Sequence, residues 1–138
     1  MSSKWIDERI NTIYTRVKRN TVNALKSKYP DITFTQDDSE NTDAVFPTVY
    51  MFFDWIERGS TLDGGVINAV YMTVRTKVSV DGAQNNNVAR EVNTKVRDEL
   101  CKMLFVTSGS PIPTRSGGIK EINANYQRVI GFDDPLII

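Results

Sequence analysis

The chain reads as an α+β domain in which a mostly antiparallel, twisted sheet of about four strands packs against two amphipathic helices. The first observation behind this is the stretch Val66 to Val80, where Val70, Met72, Val74, Val78 and Val80 alternate with Arg75, Lys77 and Ser79. That period of two predicts one long strand with a buried face and a wet face. The second is a pair of segments, at residues 4–28 and 86–104, in which apolar residues recur at three and four positions, the spacing of one helix face. The third is a run rich in aromatic and β-branched residues from Phe46 to Ile56, which supplies the neighbouring strand. At 138 residues the chain has the length of one domain, 1–138, able to bury a real core.

Composition narrows the chemistry. The 17 basic and 17 acidic residues cancel, and only Arg16, Lys18 and Arg19 form a short basic run, so a dedicated nucleic-acid binder is disfavoured. No histidine is present, which removes the usual general base near neutral pH, the Ser-His and Cys-His nucleophiles and the commonest metal ligand. A single cysteine, Cys101, excludes an intrachain disulfide and fits folding in a reducing cytoplasm. The first ten residues, MSSKWIDERI, carry charge where a signal peptide has its apolar region, and no apolar run is long enough to span a bilayer. A soluble protein without membrane contact is expected.

In the first helix Ile6, Ile10, Ile13 and Val17 form the apolar stripe, widened by Trp5, Tyr14, Val22, Ala24 and Leu25. Ser2 or Ser3 is its candidate cap, and Lys26, Lys28 and Pro30 mark its far end. A short strand, ITFTQ, follows at Ile32 to Gln36. Asp37, Asp38, Glu40 and Asp43 then lie in a wholly polar loop whose spacing lacks the glycine and distal glutamate of an EF-hand, so a solvated loop is expected. In FPTVYMFFDWIERG, Val49, Met51, Phe53 and Trp55 share one face and Tyr50, Phe52 and Ile56 the other. Both faces are apolar, which predicts a helix against one and a further layer or a neighbouring subunit against the other. Gly59, Gly64 and Gly65 supply a reversal before the long strand; neither a dinucleotide nor a P-loop pattern is present.

The second helix is capped from Asn85, Asn86 or Asn87 and buries Val88, Ala89, Val92, Val96, Leu100 and Met103. Its charged residues, Glu91, Lys95 and Glu99 among them, fall mostly outside that face, with Glu91 placed to pair with Lys95. Cys101, lacking a histidine partner, reads as a small packing residue. Residues 106–118, VTSGSPIPTRSGG, have the composition of a long loop. The final stretch IKEINANYQRVIGF reads as a hairpin or as a strand with an irregular lead-in. The tail 133–138, DDPLII, ends on three apolar residues that need either the core or a neighbour.

Taken in order, these elements resemble the tail terminator or tail completion family of tailed bacteriophages over nearly the whole chain. The features that carry the resemblance are the Phe-Pro-hydrophobic strand at Phe46, the long amphipathic strand, the A-x-x-V-x-x-x-V-R-x-x-L helix from Ala89 to Leu100, and the aromatic-x-Arg-hydrophobic strand from Tyr126 to Val129. The resemblance implies a structural virion protein, made in the host cytoplasm and not an enzyme. It implies a homo-hexameric ring at the head-proximal end of the tail tube, which stops tube polymerisation and joins the tail to the neck. The implied partners are further copies of itself, the tail tube protein, the head completion or connector protein of the neck, and the sheath protein where the tail contracts. Genomic DNA passes through the channel without specific binding. No cofactor, metal or catalytic residue is expected, and the surfaces expected to serve assembly are the 106–118 loop, the acidic 37–43 loop and the 135–138 tail, with Phe46, Tyr50, Phe52, Arg115, Leu136, Ile137 and Ile138 as the interface residues. On this reading deletion of residues 135–138 weakens assembly more than folding.

Two alternatives accompany it. A head completion or connector protein of the neck differs only in its partners. A small ligand-binding or enzymatic α+β domain would place Asp54 and Glu57 as acid and base, with Arg75 or Arg128 holding an anion.

Overall fold

A computed structural model describes residues 4–36, 47–59, 67–81, 86–116 and 118–136. In chain order the elements are α1 (Lys4–Leu25), β1 (Thr33–Thr35), β2 (Thr48–Gly59), β3 (Ile67–Asp81), α2 (Asn86–Lys102), β4 (Val106–Thr107), β5 (Ile112–Ser116) and β6 (Ile119–Gly131). The α+β class holds, but the sheet has six strands in the order β1-β2-β3-β6-β4, with β5 also on β6. All pairings are antiparallel except β1 with β2, where Thr33 lies beside Thr48 and Thr35 beside Tyr50. The acidic stretch 37–43, the caps at Ser2, Ser3 and Asn85, the turn at Gly64 and Gly65, and Phe46, Ile137 and Ile138 fall outside the described residues.

The alternation in β3 does what its pattern dictates. Val70, Met72, Val74, Val78 and Val80 are fully buried, and both helices send their stripes onto them: Ile6, Ile13 and Val17 from α1, and Val92, Val96 and Leu100 from α2. Val49 and Met51 of β2 and Ile122, Ala124, Tyr126 and Ile130 of β6 complete the same layer. Phe34 of β1 enters from the sheet edge, edge-on to Tyr14 of α1 at 6.3 Å between ring centres.

Both helices end earlier than their periodicity suggests. At α1, Lys28 and Tyr29 donate backbone bonds to the Leu25 carbonyl, and Pro30 biases the residue before it away from helix. At α2 the chain closes a Schellman cap: the Phe105 amide donates to the Leu100 carbonyl and the Leu104 amide to that of Cys101. Leu104 takes the left-handed position, with φ of 65°, where glycine is the usual residue. Leu104→Gly is therefore expected to raise stability by a few tenths to about 1 kcal/mol in urea unfolding; a loss of more than that would show that the Leu104 side chain supports the cap.

Three expectations are corrected. Residues 106–118 are not a long loop: β4 and β5 both run along the outer edge of β6, with Val106 opposite Gln127 and Ile112 opposite Asn123. Ser116 pairs with Ile119, so two glycines make the connection, a turn length that favours antiparallel strands. Between β4 and β5 the four edge residues Ser108 to Pro111 face the two residues Ala124 and Asn125, and Gly109 with φ of 80° takes up the excess as a bulge. The expected surface residue Leu136 is 1 % exposed and belongs to this chain's own core. It is held there by Arg128, which donates to the Met103 carbonyl at 3.0 Å and to Asp134 at 2.6 Å, while Asp134 accepts the Leu136 amide at 2.8 Å. Finally, Cys101 is exposed and does not serve packing, because it follows Leu100 around the helix and points off the buried stripe.

Candidate assembly surfaces

Strand register defines the face of the sheet turned away from the helices. From one end to the other its rows are Thr48, Ser79 and Glu121; Tyr50, Lys77 and Asn123; Phe52, Arg75 and Asn125; Asp54, Thr73 and Gln127; and Ile56, Tyr71 and Val129. The edge strands extend two rows, since Ile112 sits beside Asn123 and Val106 beside Gln127. Among the described residues no helix covers this face. It carries four large exposed hydrophobic side chains: Ile56 (68 %), Val106 (64 %), Ile112 (61 %) and Val129 (49 %).

Tyr50 and Phe52, both expected to serve assembly, lie here, half-buried and stacked at 6.2 Å between centroids. Lys77 stands 4.5 Å over the Tyr50 ring and Arg58 5.5 Å over that of Tyr71, so cations cap part of the aromatic area. Arg75 pairs with Asp54 at 3.2 Å, and the Tyr71 hydroxyl donates to Gln127. The face is thus apolar at one corner and along the outer edge, with an ordered polar strip between.

The sheet's two edges offer little for strand addition. One is the three-residue β1; the other is broken at Gly109 and carries Pro111 and Pro113, and prolines and bulges at an edge block pairing with a further strand.

A groove of about 760 Å³ lies between α2 and the β5–β6 hairpin. Arg115 of β5, the remaining expected assembly residue among those described, lines it, across from Arg90 and Arg97 of α2.

Beneath α2 sits a buried charge that helix periodicity does not reveal. Glu99, 1 % exposed, accepts from the Asn20 amide at 2.7 Å and from the ammonium groups of Lys95 and Lys102 at 3.0 Å each. Burial opposes its ionisation, but the bonds from Asn20, Lys102 and Lys95 outweigh that and bring its pKa down to about 2. Glu99 is therefore inside the helix interface and not outside it, and Lys95 serves Glu99 while Glu91 pairs with Lys28 at 2.8 Å. The signal in the sequence was its flanking by lysines four residues before and three after, the spacings at which helix side chains meet.

Of the residues of the enzymatic alternative, only Asp54 and Arg75 are brought together, as an exposed ion pair. Asp54 and Arg75 face away from the helices, Glu57 shares the row of Val70 on the opposite face, and Arg128 is committed to Asp134. Among the described residues no three cysteine, aspartate or glutamate side chains converge as a metal site, and no helix is long and apolar enough to cross a membrane. Compared with protein-family models and with curated proteins, the chain matches none.

Proposed function

We propose that this chain is a structural subunit of a phage tail, acting as the tail terminator: it assembles into a ring at the head-proximal end of the tube, ends tube growth and joins the tail to the neck. The observation that supports this reading is the face of the sheet turned away from the helices, where Ile56 of β2, Val129 of β6, Val106 of β4 and Ile112 of β5 are exposed. Exposed apolar side chains gathered on one face, at a corner and along the outer edge, are costly on a lone subunit and mark a surface that another protein covers. Since both sheet edges resist strand addition, association proceeds through side chains on the face and not by extending the sheet. A ring requires two different and complementary surfaces on each subunit, and this face is one.

The test is the mass of the purified protein by light scattering over a range of concentrations, alone and with tail tube protein. The expected result is a ring of about six copies, alone or on tube ends. Ile56→Asp with Val129→Asp is expected to abolish the ring while leaving thermal stability nearly unchanged, because exposed substitutions typically move stability by no more than about 0.5 kcal/mol. A protein that stays monomeric at every concentration and never caps tubes would exclude the role. The head completion alternative shares the surface, and a pull-down against tube protein and against portal or adaptor protein separates the two.

A further inference from the structure

The groove between α2 and β5 is strongly cationic. Among the described residues it is lined by Arg90 and Arg97 on one wall, by Arg115 and Lys120 on the other, and by one acidic residue, Glu121, whose carboxylate is engaged by Lys77, Ser79 and Thr114. Among the described residues Arg90, Arg97 and Arg115 have no ion pair. Three arginines without an ion pair converging on one groove repel each other and raise the local potential until an anion arrives.

A second feature sits between them. Asn93 lines the groove, is only 6 % exposed, and its Oδ1 is buried without a donor. A buried amide left unpaired is destabilising, by the lost solvation of its polar atoms. A primary amide has both an acceptor and donors. A peptide can satisfy both, giving a backbone N–H to the oxygen and a backbone carbonyl to the nitrogen. A phosphate only accepts and leaves the oxygen unpaired.

The chain itself contains a peptide of the complementary charge. Residues 37–43, DDSENTD, hold four carboxylates and no basic residue. This stretch joins β1 to β2, at one edge of the sheet, while the groove is formed by β5 at the opposite edge. β2 and β5 are separated by β3 and β6, about 14 Å at the usual strand spacing. Two distinct, complementary parts of one chain are what a head-to-tail contact needs in order to propagate from copy to copy.

We infer that the α2–β5 groove binds the acidic segment 37–43 of a second copy of this chain, with the arginines pairing its carboxylates and Asn93 its backbone. The inference rests on the ring reading and names the charged half of its subunit contact. It makes association weaken with rising salt.

Two charge-reversed proteins test it. One carries Arg90→Glu and Arg115→Glu; the other carries Asp37→Lys, Asp38→Lys and Glu40→Lys. Arg90 and Arg115 are exposed, and circular dichroism verifies that each variant is folded. Each alone places like charges in contact and is expected to raise the concentration needed for assembly by about tenfold or more. An equal mixture of the two restores assembly, since each groove then meets a segment of opposite charge on the other variant. If the wild type assembles and both variants assemble equally well alone, the groove contact is wrong and the ring reading stands; if the wild type never assembles, both fall. Failure of the mixture to rescue two impaired variants also overturns the inference. So does a short DNA duplex that binds the wild type but not the arginine variant, when that variant still assembles, for the groove then serves nucleic acid.

Discussion

Glu99→Ala is expected to lower the free energy of unfolding by about 2–4 kcal/mol, because it strips a buried amide and two ammonium groups of their shared acceptor. Asn20 is the partner supplied by α1, so the loss falls on the α1–α2 contact. Acid separates the charge from the shape. The carboxyl has a folded pKa of about 2 against a usual 4.5, so its contribution is fully present above the unfolded value. It is lost progressively as pH falls from about 4.5 through about 2, and amounts to about 3 kcal/mol. Glu99→Gln keeps the size and an acceptor for Asn20 but removes the charge. It is expected to be less stable than the wild type at pH 7 and to converge with it as the pH approaches 2. Urea unfolding of both proteins across this range provides the measurement; equal stability at pH 7 would show that the carboxylate's attraction to its lysines only offsets its desolvation.

The tail clasp has the other large effect. The Arg128–Asp134 pair is mostly withdrawn from water, with the two side chains 14 % and 17 % exposed. Arg128→Ala removes the counter-charge from Asp134 and a donor from the Met103 carbonyl. A loss of about 3–5 kcal/mol is expected, the range for breaking one side of a buried pair. Deletion of residues 135–138 takes Leu136 out of the core and is expected to cost about 2–4 kcal/mol, as large-to-small core changes do. Truncation is therefore expected to cost folding stability through Leu136, which an apolar tail alone does not suggest. Thermal and urea unfolding of both variants at neutral pH check the two figures. Arg128→Ala within 1 kcal/mol of the wild type would show that the tail is held by Leu136 packing alone.

The parts of this fold legible from sequence were those in which one face meets the core and the other meets water. β3 and both helix stripes have that property, and parity alone placed Tyr50 and Phe52 together on the face away from the helices. Legibility failed where a residue's partner lies far along the chain. Glu99 resembles any surface acid until Asn20 of α1 meets it. Leu136 follows a polar, proline-containing stretch, and only Arg128 and Asp134 determine that it turns inward. The β5 segment was obscured by its own edge devices: Pro111, Pro113 and the paired glycines suit both a loop and a protected edge strand. Because β4 and β5 were hidden, Val106 and Ile112 were not seen to share a face with Ile56 and Val129. The groove was equally hidden, as Arg90 and Arg115 converge only when the hairpin folds beside α2.

The central strand's second neighbour is β6, and between them in the chain come all of α2, β4 and β5. β2 can close on β3 across a short connection, but the opposite edge of β3 finds no partner until Ile119, which pairs with Asp81, has been made, and is fully paired only at Gly131, opposite Ala69. Pairings this distant make the loop-closure entropy large before any contact offsets it. A folding time of milliseconds to seconds follows, at the slow end for a domain with two long helices. During synthesis the fifteen-residue β3 is an open template for strand pairing while the ribosome completes the last quarter of the chain. The prolines that guard the finished sheet's edge give no protection at that stage.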